Sequence, residues 1–292
     1  MVSSSRLSLA CNESQWVLVC SLDRNAQEGV VLTDAFAVPD QRLALPSDSY
    51  LVDYFDALDA YLDIGPPVYF VTRKVDVTTR QGQQQMCGRF TTCMELSVAN
   101  SLEAERKRPE SSFIANAPAP WIDDFLHWTD PALDTCCRVR KDDPSVFCSA
   151  RDSERLCKPC FADREPEWDI TMQGLPEGPE VMRYIQQWLV TPTDDQCPLG
   201  GLAPYSSAVS LASDNSSVVA SHFRTFHTPL KTQDDFINAL AAAKRVASDI
   251  YARTGVETYP YSLFYVFFEQ VRLVFTEDRN VFRTDISLSR YL

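Results

Sequence analysis

The sequence predicts an α+β fold in which a long cysteine-rich insertion interrupts a sheet-and-helix domain. Segments with helical spacing of apolar residues alternate with short runs of β-branched and aromatic residues. Residues 134–204, in contrast, are dominated by cysteine, proline, glycine and aspartate, a composition typical of loops. Five of the ten cysteines lie between residues 136 and 160. We therefore expect strand–helix–strand units around one sheet, interrupted by a loop-rich insertion.

Three helices and one strand are predicted before the insertion. The first helix ends at Gly65-Pro66-Pro67, because proline cannot continue a helix. In the last helix, Trp121, Phe125 and Trp128 share one face and are expected in the core. The predicted elements are, in order, a helix over 47–64, a strand over 68–77, and helices over 94–107 and 121–128.

The second half of the chain contains the clearest helix signal. Thr232 with Asp235 three residues later predicts reciprocal capping of the helix start, and Gly255 predicts its end. The apolar run that follows is expected to be a strand buried on both faces. The predicted elements are a helix over 178–190 inside the insertion, a strand over 217–230, a helix over 231–255 and a strand over 259–270.

Composition and charge exclude several classes of function. The 292-residue chain carries a net charge of −13, which argues against a nucleic-acid surface, since such a surface needs lysine and arginine to neutralise phosphates. Because no run of 18 apolar residues occurs, no membrane span is expected. The first twenty residues contain one arginine and no continuous apolar stretch, so they make a poor signal peptide. Residues 1–40 show no clear period and are expected to form a weakly structured lead-in.

The cysteine-rich run leaves three interpretations open. A zinc site would need a second ligand pair, and only one CxxC, Cys157–Cys160, is present. A redox centre would need that CxxC at the start of a helix, whereas the following residues lack a helical period. A disulfide framework fits the even number of cysteines and the turn-rich surroundings. Adjacent Cys136 and Cys137 would then bind separate partners, and spacing alone does not give the pairing.

Other polar residues have a simpler structural interpretation. Asn215-Ser-Ser is a glycosylation sequon in a polar stretch, and we expect a surface turn there. His222 and His227 lie on one strand, and are expected to be ordinary strand histidines rather than a pH sensor. Asp123 and Asp124 are neighbours on a helix and are expected on a solvated face, not as a catalytic pair.

Eight motifs occur in an order that resembles a known family, and the match covers residues 40–270. The chain is similar to the cysteine-rich C-terminal luminal domain of the Niemann–Pick type C sterol transporter family, related to Patched and the resistance–nodulation–division pumps. The motifs are GPPVYFV (65–71), the pair Cys87 and Cys93, APAPWIDDFLHW (117–128), DTCCRV (134–139), the cysteines of 147–160, CPLGGLAPYSSAV (197–209), FRTFHTPLKTQDDFINAL (223–240) and YPYSLFYVFFEQ (259–270).

The resemblance implies a ferredoxin-like fold with a disulfide-rich loop insertion. It also implies four disulfides and no catalytic residue, metal or cofactor. The implied role is a luminal scaffold that contacts the other luminal domains of a transporter exporting cholesterol or ergosterol from the lysosome or vacuole. The parent protein as a whole would handle the sterol, and the resemblance does not identify the residues that contact it. The implied pairs are Cys87 with Cys93, Cys136 with Cys197, Cys137 with Cys160, and Cys148 with Cys157.

The two ends of the chain depart from the family. Residues 1–39 and 271–292 stand where the family has transmembrane helices, and we expect them to be disordered or to come from a truncated or mispredicted gene product. Cys11 and Cys20 fall in this part and are given no partner. Two alternatives remain, a free-standing secreted cysteine-rich binding module and a thiol–disulfide oxidoreductase that uses Cys157 and Cys160.

Overall fold

The computed structural model describes residues 49–61, 64–149 and 152–265, and it also assigns three short strands near the N-terminus. The chain divides into two compact units. One unit contains Met1–Asp63, Leu230–Asn238 and Phe264–Leu292, and the other contains Ile64–Pro229 and Ala239–Leu263.

The elements follow one another as a mixture of helices and strands. The strands are β1 (Leu7–Asn12), β2 (Gln15–Cys20), β3 (Val30–Val31), β4 (Pro67–Arg73), β5 (Arg138–Arg140), β6 (Cys157–Pro159), β7 (Val209–Leu211), β8 (Val218–Phe226) and β9 (Glu257–Tyr261). The helices are α1 (Tyr50–Tyr61), α2 (Arg80–Met86), α3 (Val98–Arg106), α4 (Pro109–Ser112), α5 (Trp121–Trp128), α6 (Glu180–Val190), α7 (Leu202–Tyr205) and α8 (Gln233–Thr254).

In the first unit, β1, β2 and β3 form an antiparallel sheet in that order. This sheet differs from the weakly structured lead-in that the sequence predicted. Its sequence is nevertheless suited to strands, because β2 reads QWVLVC and is rich in β-branched and aromatic residues. Only two residues separate β1 from β2, the usual length of a hairpin connection.

In the second unit, four antiparallel strands form a sheet in the order β7-β8-β4-β9. Burial alternates along the two central strands. On β4, Val68 and Phe70 are fully buried, and Phe223 on β8 is fully buried as well. The intervening residues, such as Tyr69 and Val71, are only half-buried. Since successive side chains of a strand point to opposite faces, the sheet has one buried face and one partly open face.

All five predicted helices are present, and three short helices in the described part of the chain, α2, α4 and α7, were not predicted. Residues 121–128 form α5 as predicted, and Trp121, Phe125 and Trp128 all lie in the core. The start of α8 carries the predicted capping pair: the Asp235 backbone N–H donates to the Thr232 hydroxyl at 3.2 Å, and the Thr232 N–H donates to the Asp235 carboxylate at 2.9 Å. Gly255 follows the helix with φ +73°.

The sequence did not predict α2. This helix is polar, with the sequence RQGQQQM, and it lacks an apolar stripe. Its Gln83 side chain is fully buried and donates to the Val77 and Pro176 carbonyls at 3.0 Å each. Hydrogen bonds to distant backbone therefore hold a helix that the local pattern does not indicate.

The last predicted strand needs correction. The sequence predicted a strand over 259–270 that is buried on both faces, but β9 runs from Glu257 to Tyr261 and lies at the sheet edge. A turn follows at Leu263, and residues 266–270 lie outside the described residues. Pro260 is compatible with an edge strand, because proline supplies no N–H to a further neighbour. The architecture is the predicted α+β arrangement, and the described residues contain four disulfides.

Candidate functional site

Three nested disulfides hold the cysteine-rich insertion. The outermost joins residues 61 apart in the sequence, the next joins residues 23 apart, and the innermost joins residues 9 apart. A fourth bridge closes a short loop after α2. The pairs are Cys136–Cys197, Cys137–Cys160, Cys148–Cys157 and Cys87–Cys93, which are the same four that the family resemblance implies. Neighbouring Cys136 and Cys137 have separate partners, and the two cysteines of the CxxC are not bonded to each other.

A buried arginine supports the insertion from inside. Arg138 on β5 is only 7% exposed, and β5 pairs with β6. Its guanidinium donates to the Ser149 carbonyl at 2.7 Å and to the Asp152 carbonyl at 3.3 Å. The arginine therefore satisfies backbone acceptors inside the loop that Cys148 and Cys157 close. Sequence reasoning missed this residue, because a lone arginine in a loop gives no signal of burial.

The expectation for Asp123 was wrong. Instead of facing solvent, Asp123 is 1% exposed, and its carboxylate accepts the backbone N–H groups of Gly88 at 3.0 Å and Arg89 at 3.1 Å. Burial raises the pKa of Asp123 above its usual value, while these hydrogen bonds act in the opposite direction. Its neighbour Asp124 bonds to Arg89 at 2.6 Å and accepts from the Tyr205 hydroxyl. Both carboxylates are thus engaged in holding the chain together.

Within the described ranges, two groups of side chains have the composition of a metal site, but both contain a disulfide. One combines the Cys87–Cys93 pair with Asp123, and the other combines the Cys148–Cys157 pair with Asp152. Zinc binds the cysteine thiolate, and sulfur in a disulfide does not supply that ligand. As paired here, neither group suits zinc.

His222 and His227 have different environments. His227 is fully buried, and its Nδ1 lies 2.8 Å from the Phe113 carbonyl oxygen. Burial lowers its pKa below the usual value, while that hydrogen bond raises it. His222 is half-buried and packs edge-on against Tyr69, with ring centroids 4.9 Å apart. Burial, together with the charge of Arg224, lowers the pKa of His222.

A groove of about 360 Å³ lies on the partly open face of the sheet. We call it the sheet groove. Its floor comes from alternate residues of three strands, and its wall comes from the segments around Ala119 and α7. Strand register places Tyr69 opposite both Arg224 and Tyr261. The lining residues are Tyr69, Val71, Ala119, Pro204, Tyr205, Ser207, Ala208, His222, Arg224, Tyr261 and Leu263.

Sequence reasoning singled out only His222 of this groove. Period-two alternation along VYFVTR and HFRTF could have identified Tyr69, Val71 and Arg224 as residues of one face. Alternation alone does not reveal which face is covered by other elements, so the groove itself was not predictable.

The Asn215 sequon occupies an exposed turn between β7 and β8. Asn215 adopts a left-handed conformation with φ +56°, and its backbone N–H donates to the Ala212 carbonyl at 2.8 Å. Its side chain is exposed. Asparagine tolerates this conformation better than most residues, which suits a tight hairpin.

The longest helix in the described part of the chain is α8, with 22 residues, and the other helices are shorter. None of them combines sufficient length with sufficient apolar character to cross a membrane.

The chain is similar to one stretch of several much longer proteins. It is 37% identical over 257 residues to NPC intracellular cholesterol transporter 1 of Sus scrofa, covering 85% of this chain and 19% of that protein. It is 35% identical over 251 residues to NPC1-like intracellular cholesterol transporter 1 of Rattus norvegicus, covering 82% and 18%. A homologue from Caenorhabditis elegans is 28% identical over 257 residues. The chain thus spans about a fifth of the length of these relatives, and no family model matches it.

Proposed function

The chain is homologous to one stretch of the NPC1 and NPC1-like cholesterol transporter family, and we propose that it acts as a domain of a sterol transporter. The observation that carries this proposal is the similarity over four-fifths or more of the chain to transporters from several animals. Sterol would pass through the parent protein, and this domain would contribute no catalytic step.

The engagement of the polar groups supports a role without catalysis. Asp123 and Asp124, the paired carboxylates of the chain, are both occupied by structural hydrogen bonds. Cys157 and Cys160 are bonded to Cys148 and Cys137, so they do not form the dithiol that an oxidoreductase would use. These contacts weigh against the oxidoreductase alternative.

We propose that the domain lies on the luminal side of a lysosomal, vacuolar or endosomal membrane. Disulfides form and persist in oxidising compartments, and the described part of the chain holds four of them. The exposed Asn215 turn would carry a glycan there. Its partners would be the other luminal domains of the same transporter, for which it would serve as a scaffold.

A ferredoxin-like assignment of the sheet belongs to the same proposal. The strands occur in the chain as β4, β7, β8 and β9, while their order in the sheet is β7-β8-β4-β9. Helices lie between β4 and β7 and between β8 and β9, and β7 with β8 form a hairpin. This βαββαβ sequence of elements is the one expected for such a fold, with the insertion placed between β4 and β7.

A chimera tests the proposed function. Residues 40–270 would replace the matching stretch of NPC intracellular cholesterol transporter 1 in cells that lack the native protein, and stored cholesterol would be measured by staining. We expect cholesterol storage to fall toward the level of cells with the native transporter. The matched control carries Cys136→Ser and Cys197→Ser in the same chimera and should not lower storage. A stable chimera that reaches its membrane yet leaves storage unchanged would contradict the proposal.

A further inference from the structure

Two basic side chains of the sheet groove lack a polar partner in the described residues. Arg224 is exposed, and within that part of the chain its guanidinium takes part in no ion pair or hydrogen bond. The His222 ring is half-buried against Tyr69, and neither ring nitrogen has a hydrogen-bond partner there. Neither side chain has a polar atom that is both buried and without a partner, so water reaches them and a polar ligand in the groove can replace that water. The pair is therefore equipped to bind a group that accepts hydrogen bonds and carries negative charge.

The carboxylate of Asp124, which contacts the groove wall, already has two partners. Tyr205 lines the groove and donates its hydroxyl hydrogen bond to Asp124. The other Asp124 oxygen lies 2.6 Å from an Arg89 guanidinium nitrogen. Burial and the Asp124 contact raise the pKa of Tyr205, so this hydroxyl stays protonated. Among the described residues that line the groove, Arg224 is therefore a cation without a counter-charge.

The floor of the groove is apolar and aromatic. Tyr69 and Val71 of β4 lie in its centre, and Tyr261 and Leu263 extend it toward the sheet edge. Tyr261 is 49% exposed and Leu263 is 70% exposed, so large apolar surfaces face the groove opening. The rings of Tyr69 and Tyr261 lie 6.3 Å apart. Concave sites that combine an apolar floor with a few convergent polar groups are typical of ligand pockets.

We propose that the sheet groove binds a long-chain carboxylic acid, a free fatty acid. Its carboxylate would accept hydrogen bonds from Arg224, with His222 as a second donor, while the first part of its chain covers Tyr69, Val71 and Tyr261. A planar guanidinium matches a carboxylate through two parallel hydrogen bonds. A sterol, with one hydroxyl and no charge, would cover Arg224 without neutralising it, which is unfavourable. The inference therefore goes beyond sterol transport.

A fluorescence titration tests the inference with the full chain. The probe is cis-parinaric acid, an intrinsically fluorescent fatty acid, and its methyl ester serves as an uncharged probe of the same length. At neutral pH we expect the acid to bind at least tenfold more tightly than the ester. Arg224→Gln should remove that preference, and His222→Gln should reduce it. The matched control is Arg253→Gln, an exposed arginine of α8 outside the groove, which should bind the acid as the unaltered chain does.

Several outcomes would overturn the inference. Equal binding of acid and ester would show that Arg224 does not select a carboxylate, and an unchanged preference in Arg224→Gln would place the site elsewhere. Displacement of the acid by cholesterol at equal concentration would assign the groove to neutral sterols instead. The chimera assay of cholesterol storage is scored separately. If the chimera fails to lower cholesterol storage but the chain still binds the acid selectively, this inference stands and the proposed function fails. If the chimera works but the chain does not bind the acid selectively, only this inference fails.

Discussion

Removal of the Cys136–Cys197 disulfide by paired alanine substitutions is expected to destabilise the domain more than removal of any other bridge. The bridge joins residues 61 apart, but Cys137–Cys160 bypasses 23 of these residues when it is intact. Roughly 40 residues therefore remain in the loop that the outer bridge closes, and the loop-entropy relation gives a loss of about 4 kcal/mol at 25 °C.

The innermost bridge provides the matched comparison. Cys148–Cys157 joins residues only 9 apart and encloses no further disulfide. The same relation gives about 2.7 kcal/mol for its removal. Both substitutions remove one disulfide from the same insertion, so the difference of about 1 kcal/mol reflects loop length rather than the chemistry of the change.

Urea unfolding of the secreted protein would measure both losses. Trp121, Trp128 and Trp188 are buried and report the loss of the core by fluorescence. We expect the Cys136→Ala and Cys197→Ala variant to unfold at the lower urea concentration, with a larger fall in the free energy of unfolding. If the Cys148→Ala and Cys157→Ala variant is equally or less stable, loop closure does not govern these bridges, and the contribution of Arg138 and its carbonyl partners would have to dominate.

Three further substitutions test other parts of the structure. Gly65→Ala should lower the free energy of unfolding by about 2 kcal/mol or more, because an added Cβ would lie 2.1 Å from the Thr228 carbonyl oxygen. Thermal unfolding measures this loss, and an unchanged midpoint would contradict the close approach of Gly65 and Thr228. Burial lowers the pKa of His227, so the unfolded chain binds more protons than the folded chain, and the free energy of unfolding should fall as pH drops below about 6.5. His227→Gln should make that fall shallower in unfolding measured from pH 7 to pH 5. An identical slope in the variant and the unaltered chain would refute this expectation. Asn215→Gln should remove one glycan, seen as faster migration of the secreted protein in gel electrophoresis before enzymatic deglycosylation, and identical migration would mean that the turn is not modified.

The helices that could be predicted are those whose local and tertiary preferences agree. In α5, the apolar stripe at Trp121, Phe125 and Trp128 matches the buried face, and α8 has both a capping pair and a terminal glycine. In α2, local preference gives little guidance, since Gln83 is buried by hydrogen bonds to residues up to 93 positions away. A local sequence pattern cannot indicate a hydrogen bond to a residue so far away along the chain.

The prediction of the strands was likewise correct for some strands and wrong for others. β-Branched and aromatic composition identified β4, and partial alternation identified β8, but the apolar composition of 259–270 suggested a central strand where the sheet has an edge. Position within a sheet depends on which strands pair, and that is a tertiary property. The burial of Asp123 was missed for the same reason, because it depends on a tertiary contact. Helical spacing shows its direction on α5, but not that the loop of Cys87 brings two backbone N–H groups to meet its carboxylate.

The nested pairing restrains the tip of the insertion in a different way from the sheet. Every residue between Cys137 and Cys160 is enclosed by two bridges, and those between Cys148 and Cys157 by three. The conformation of this part is therefore restricted by its own covalent bonds and by Arg138, whereas β4, β8 and β9 are held by their backbone ladder. The insertion enters the chain between β4 and β7, and none of its cysteines lines the sheet groove. The other end of the insertion does reach the groove, because Pro204 lines it and Tyr205 of α7 stacks on Trp188 of α6 with ring centroids 5.2 Å apart.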